Sequence, residues 1–230
     1  MRFFFLFFFA LTLVSCGNGE KQTSTTATLP QTDSADLNTS VETNKPVILF
    51  FGNSLTAGYG LELSQAFPAL IQNRLDSLGL DYEVVNAGLS GETTASGKNR
   101  VDWLLKKKPS VFVLELGAND GLRGIDPEET RRNLQEIIDK VKASDPATKI
   151  ILCGMMVPPN MGPDYGRQFQ AIYPELAEKN NLALIPFLLN GVAGEPELNL
   201  GDGIHPTVVG HTIVMENVWK VLCEIIEAEC

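Results

Sequence analysis

Histidine is scarce in this 230-residue chain: His205 and His211 are the only two, beside four cysteines and two tryptophans. Any reaction that needs an imidazole base must therefore use one of them. No pair of cysteines has metal-ligand spacing, which argues against a structural zinc site. Basic residues are also in deficit, 18 against 28 acidic ones, for a formal net charge of -10. A phosphate backbone would be repelled, so nucleic acid is not an expected partner. The chain lacks internal repeats, and its first apolar run, Phe3 to Val14, is too short to cross a bilayer as a stable helix. What is present is 44% hydrophobic residues, enough for one well-buried core and hence one folded domain.

The amino-terminal stretch "MRFFFLFFFALTLVSC" sets Arg2 before that apolar run, the pattern of a secretion signal over residues 1–15. Its end, "LVSC", resembles a bacterial lipobox, which implies lipid attachment at Cys16, a membrane anchor and a location in the cell envelope. Residues 17–44 are rich in Thr, Ser, Asn and Gln with few large apolar side chains, so they read as a tether without a fold of its own. The folded domain is expected from Lys45 to Cys230.

Within it, short apolar runs alternate with amphipathic ones. Strands are expected at Val47–Phe51, Tyr82–Asn86, Val111–Leu116, Lys149–Cys153 and Ala183–Pro186, each nearly all apolar, as in a sheet covered on both faces. Ser64 is expected to cap a helix that Gly79 stops, and Asp126 with Pro127 to open another. This order predicts an α/β domain with a doubly wound, five-stranded parallel sheet and helices on both faces. Cys153 falls in a strand. Cys223 and Cys230 lie near the end of a helical pattern, where a disulfide would require the last turn to unwind, so they are expected to stay apart.

Ligands of such sheets bind beyond the carboxyl ends of the strands. There stand "GNSLTAG", "NAGLSGETT", "ELGANDGLRG" and, after the last strand and a loop, "LGDGIHPTVVGH". Together they offer the parts of an acyl-transfer site. His205, in a loop before a helix expected to start at Pro206, suits a base better than His211, which lies inside that helix. Asp202, three residues earlier, can accept from the ring and fix its tautomer. Ser54 and Ser90 both follow strands and both remain possible nucleophiles; neither sits in G-x-S-x-G. The Gly88 N–H and the Asn119 amide are candidate oxyanion donors.

Taken together, "GNSLTAGYGL", "VVNAGLSGETT", "LELGANDGLRGI", "PPNMGPDYGRQFQAIYPELA" and "DGIHP" resemble the SGNH (GDSL-like) hydrolases, in the branch of arylesterases, acyl-CoA thioesterases and lysophospholipases. The likeness runs from about Val47 to Leu222. It implies a flavodoxin-like fold and a serine esterase that needs no metal or cofactor. It further implies Ser54 as nucleophile, His205 as base and Asp202 as its orienting acid, with an oxyanion hole of the Ser54 and Gly88 N–H groups and the Asn119 amide. Ser90 becomes a loop residue. The family usually has aspartate where this chain has Asn53. Expected substrates are small acyl esters, thioesters or lysophospholipids, with Leu122, Ile125, Met156 and Met161 as candidates to line an acyl groove. The alternative is a silent envelope lipoprotein that binds lipid or glycan on the same fold.

Overall fold

The structure, a computed structural model, describes residues 45–230. The expected signal, Cys16 and the tether lie outside the described residues. Five parallel strands form one sheet in the order β2-β1-β3-β4-β5: β1 Val47–Gly52, β2 Glu83–Gly88, β3 Val111–Glu115, β4 Lys149–Cys153 and β5 Ala183–Ile185. The central strands β1, β3 and β4 are buried almost throughout because both faces are covered. Edge strand β2 is only partly buried over most of its length and runs two residues past its expected end.

The longer helices are α2 Phe67–Ser77, α3 Thr94–Leu104, α5 Pro127–Ser144, α6 Pro163–Asn180 and α7 Val208–Ile225; two short ones, α1 Ser54–Ala57 and α4 Ala118–Leu122, follow β1 and β3 directly. α2 packs on α7, while α3, α5 and α6 pack in series. With right-handed crossovers, this puts the first pair on one face and the series on the other. The crossovers diverge on either side of β1, so the crevice of the doubly wound sheet opens beyond the ends of β1 and β3. Phe50 and Phe51 alternate across β1, Phe50 meeting Phe67 of α2 edge-on with ring centroids 5.5 Å apart and Phe51 meeting Phe112 of β3 at the same separation.

Asp126 caps α5 as expected, accepting from the Glu128 N–H at 2.9 Å. Two other expected starts shift. Ser64 falls in a short 3₁₀ turn, and α2 begins behind Ala66, whose side chain can make no cap, with Pro68 in its first turn. α7 begins behind Thr207, which accepts from the Gly210 N–H, so Pro206 precedes the helix rather than opening it. The cysteine pair is also a correction. Cys223 and Cys230 form a disulfide, because α7 ends at Ile225 and the chain turns back through Glu227 at φ 55°. Cys153 is free and buried.

Candidate active site

β1 delivers Ser54. The strand ends at Gly52, Asn53 caps α1 by accepting from the Leu55 N–H at 3.0 Å, and Ser54 is the first residue of that helix. His205 reaches it from the loop ahead of α7. Its Nε2 lies 2.9 Å from Ser54 Oγ, and its Nδ1 lies 2.7 Å from Asp202 Oδ2. The other Asp202 oxygen accepts from the Ile204 and His205 N–H groups at 3.0 and 3.1 Å, which ties the loop into one piece. The His205 contact, then these N–H groups, hold the Asp202 carboxyl down at about 2. The Tyr59 ring flanks the imidazole, its centroid 4.4 Å away. Asp202, His205 and Ser54 thus form a continuous hydrogen-bonded relay.

The other histidine is structural. His211 is buried, and its Nδ1 accepts from the Phe67 N–H at 3.1 Å, satisfying a donor at the start of α2. Burial, helped by the charge of His205, lowers its pKa to about 4.

The relay opens into a cleft of about 790 Å³. Leu55, Tyr59, Leu122, Met156, Phe187 and Ile204 supply apolar wall; Leu122 and Met156 are there as expected, whereas Ile125 and Met161 are not. Asn119, in the first turn of α4, also lines it. One N–H of its amide donates to the Glu92 carbonyl at 3.1 Å, leaving the second available. The neighbouring Asp120 is buried and accepts from the Thr94 N–H at 2.9 Å and from the Thr94 hydroxyl, which locks α4 to α3.

Gly88 is a correction. It is the last residue of β2, paired with Gly52, and its N–H donates to Asn86 Oδ1 at 2.9 Å. It borders a separate, smaller cavity with Gln72 and Asn86, and an added Cβ would stand 2.2 Å from the Ala57 nitrogen. Its glycine is required by the close approach of α1. The residue of this segment that does face the cleft is Gly91, in the turn beyond the strand at φ +81°. Among the described residues neither the Gly91 N–H nor the Ser54 N–H has a hydrogen-bond acceptor. The Gly91 turn is held by Arg123, which donates to the Gly91 carbonyl, and by Arg100, which grips Glu92. Ser90 is exposed where it lines the cleft and makes no hydrogen bond to either histidine. The extra length of β2 hid Gly91: the rim starts after Gly88, not after Asn86.

The floor holds a residue that the sequence did not single out. Glu115, the last residue of β3, is buried directly beneath α1. Its Oε1 accepts from Asn53 Nδ2 at 2.6 Å; its Oε2 accepts from the Asn53 N–H at 3.0 Å, the Thr56 N–H at 3.3 Å and the Thr56 hydroxyl at 2.8 Å. Burial nevertheless outweighs these donors and raises its pKa to about 7.

Residues 50–213 match the GDSL-like Lipase/Acylhydrolase family. The chain is 43% identical to the esterase TesA of Pseudomonas aeruginosa over 176 residues, covering 76% of this chain and 87% of that one. It is 40% identical over 160 residues to thioesterase 1/protease 1/lysophospholipase L1 of Escherichia coli K12, covering 69% and 74% respectively. A crystal structure of TesA superposes with a TM-score of 0.75 at 42% identity, over 78% of this chain and 99% of the other.

Proposed function

Since the chain belongs to the GDSL-like lipase/acylhydrolase family and is a serine ester hydrolase, we propose that Ser54 is its nucleophile and that hydrolysis runs through a Ser54 acyl-enzyme. The observation that carries this reading is the Asp202–His205–Ser54 relay at the mouth of an apolar cleft. With its Nδ1 proton held by Asp202, His205 presents Nε2 as an acceptor and takes the Ser54 proton as Oγ attacks the ester carbonyl. Asp202 stabilises the imidazolium. The carbonyl oxygen becomes an oxyanion that the Ser54 and Gly91 N–H groups and the free Asn119 N–H can receive, with Gly91 in the role first expected of Gly88. His205 then protonates the departing alcohol or thiol. In the second half, water attacks the acyl-enzyme, His205 takes the water proton, and the return of that proton to Ser54 Oγ releases the carboxylic acid.

The cleft walls support a neutral acyl group as substrate. Among the described residues no lysine, arginine, aspartate or glutamate lines the cleft, so nothing there would grip a charged acyl chain. The relatives' names extend the proposal to thioesters and lysophospholipids. The lipobox-like "LVSC" supports a lipid anchor at Cys16 and an envelope location. There lysophospholipids and simple acyl esters fit better than acyl-CoA, a cytosolic thioester.

The test is hydrolysis of p-nitrophenyl esters from acetyl to palmitoyl by the wild-type chain and by Ser54→Ala. Turnover lost in the variant, with a phosphonate probe labelling wild type at Ser54, is the expected result. Turnover that survives Ser54→Ala would remove the nucleophile assignment. A chain that takes up lipid but shows no turnover and no labelling would instead be the silent binding protein.

A further inference from the structure

Glu115 has no part in the chemistry just described, yet it touches both sides of the nucleophile. Four donors converge on its carboxylate, and all four belong to Asn53 and Thr56, the residues on either side of Ser54–Leu55. Gly52 makes room for it, since a Cβ there would stand 2.5 Å from Glu115 Oε2. The Asn53 side chain cannot rotate freely. Its Oδ1 already accepts from the Leu55 N–H as the cap of α1, so its Nδ2 must face Glu115. Among the described residues the titratable groups facing Glu115 are the Cys153 thiol of β4 and the Tyr173 phenol of α6, both uncharged; no cation faces it.

We propose that Glu115 is a positioning residue for Ser54, acting as the ionised half of a matched amide–carboxylate pair with Asn53. The proposal rests on Ser54 being the nucleophile. Every partner in the pair is a donor, so the ionised carboxylate satisfies them all. A proton on Oε1 would face Asn53 Nδ2, which cannot accept because the amide oxygen is committed to the cap, and a proton on Oε2 would force the Thr56 hydroxyl to accept instead of donate. Protonating Glu115 therefore loosens the turn that aims Ser54 Oγ at His205, so the pair adds a proton of its own to the acid-side loss of activity.

The complementarity can be inverted. Glu115→Gln sets an amide against an amide at the Asn53 contact. Asn53→Asp sets a carboxyl against a carboxyl, which then needs a shared proton. The double variant Asn53→Asp/Glu115→Gln restores donor against acceptor with the roles exchanged, and an oxygen of the introduced carboxylate can still cap α1. With the full chain and a short-chain p-nitrophenyl ester, Glu115→Gln should lower kcat by roughly tenfold or more, with KM changed much less. Asn53→Asp should lose activity as pH rises and the shared proton leaves. The double variant should recover about fivefold or more over Glu115→Gln, and Glu115→Gln, which leaves no carboxylate in the pair, should show an acid limb one proton shallower than that of wild type. Recovery below that mark, or a Glu115→Gln with wild-type kcat and pH profile, would overturn the proposal. Should Glu115→Gln not fold, Asn53→Asp against the double variant above about pH 8 decides it: a double variant no more active than Asn53→Asp fails the pair. These ratios are independent of whether Ser54→Ala retains activity, so failure of the pair and failure of the nucleophile assignment read out separately.

Discussion

Asp202 and Glu115 approach the same serine from opposite sides, one on the rim through His205 and one on the floor through Asn53. The Asp202 side chain is 38% exposed and faces a histidine that can carry a positive charge, and its carboxyl is held at about 2. Glu115 has more donors, is buried and faces no cation among the described residues, and its carboxyl rises to about 7. A partner decides the charge on the rim, whereas desolvation decides it on the floor. The rim carboxylate is therefore charged wherever His205 can work as a base, while the charge of the floor carboxylate depends on pH.

The largest expected effects lie on the rim. Ser54→Ala and His205→Ala should each reduce kcat by about four orders of magnitude or more, because the relay acts as a unit. Asp202→Asn comes next. Its amide can donate to Nδ1, which favours the tautomer with the proton on Nε2, facing Ser54, so a loss of about 10²–10⁴ in kcat is expected with the fold unchanged. Exposure of Asp202 favours the lower end. Removing one oxyanion donor by Asn119→Ala should cost about 10²–10³ in kcat with little change in KM. Steady-state kinetics on one ester measures all of these. A kcat left intact by Asn119→Ala would take the amide out of the oxyanion hole.

How far the sequence could be read follows the same division between rim and floor. Ser54, Asp202 and His205 were legible because rim chemistry leaves small polar residues and glycines just beyond apolar strands, and because Asp202 and His205 are three residues apart. The sheet was legible from its apolar runs. Gly88 was mistaken for a rim residue because the end of β2 is set by pairing with β1, which local sequence does not display. Glu115 was hidden for a related reason. In "VFVLELG" it reads as the polar end of a strand, and the donors that make it a buried carboxylate lie 59 and 62 residues earlier in the chain. The disulfide was missed because no Gly or Pro after Ile225 announces the end of α7.

The smallest effect concerns stability, and it contrasts Glu115 with the second histidine. Glu115 has a folded pKa of about 7 against an ordinary 4.5, so between those values the native state holds the extra proton and stability falls as pH rises. Asp120, also raised by burial, acts in the same direction. His211 has a folded pKa of about 4 against an ordinary 6.5, so over its range the unfolded state holds the extra proton and stability rises with pH. From about pH 4.5 to 6.5 Glu115 and His211 oppose each other, and wild type should show only a shallow dependence. His211→Asn keeps an acceptor for the Phe67 N–H but removes the titrating ring. Urea unfolding of that variant across this window should show stability falling with pH, by at most about 1.4 kcal/mol per unit for each group left unopposed. Esterase kinetics should stay near wild type, since His211 lies outside the cleft. A variant whose stability rose with pH across the window would mean that Glu115 enters the folded state already ionised, and the charge on the floor would then be as permanent as that on the rim.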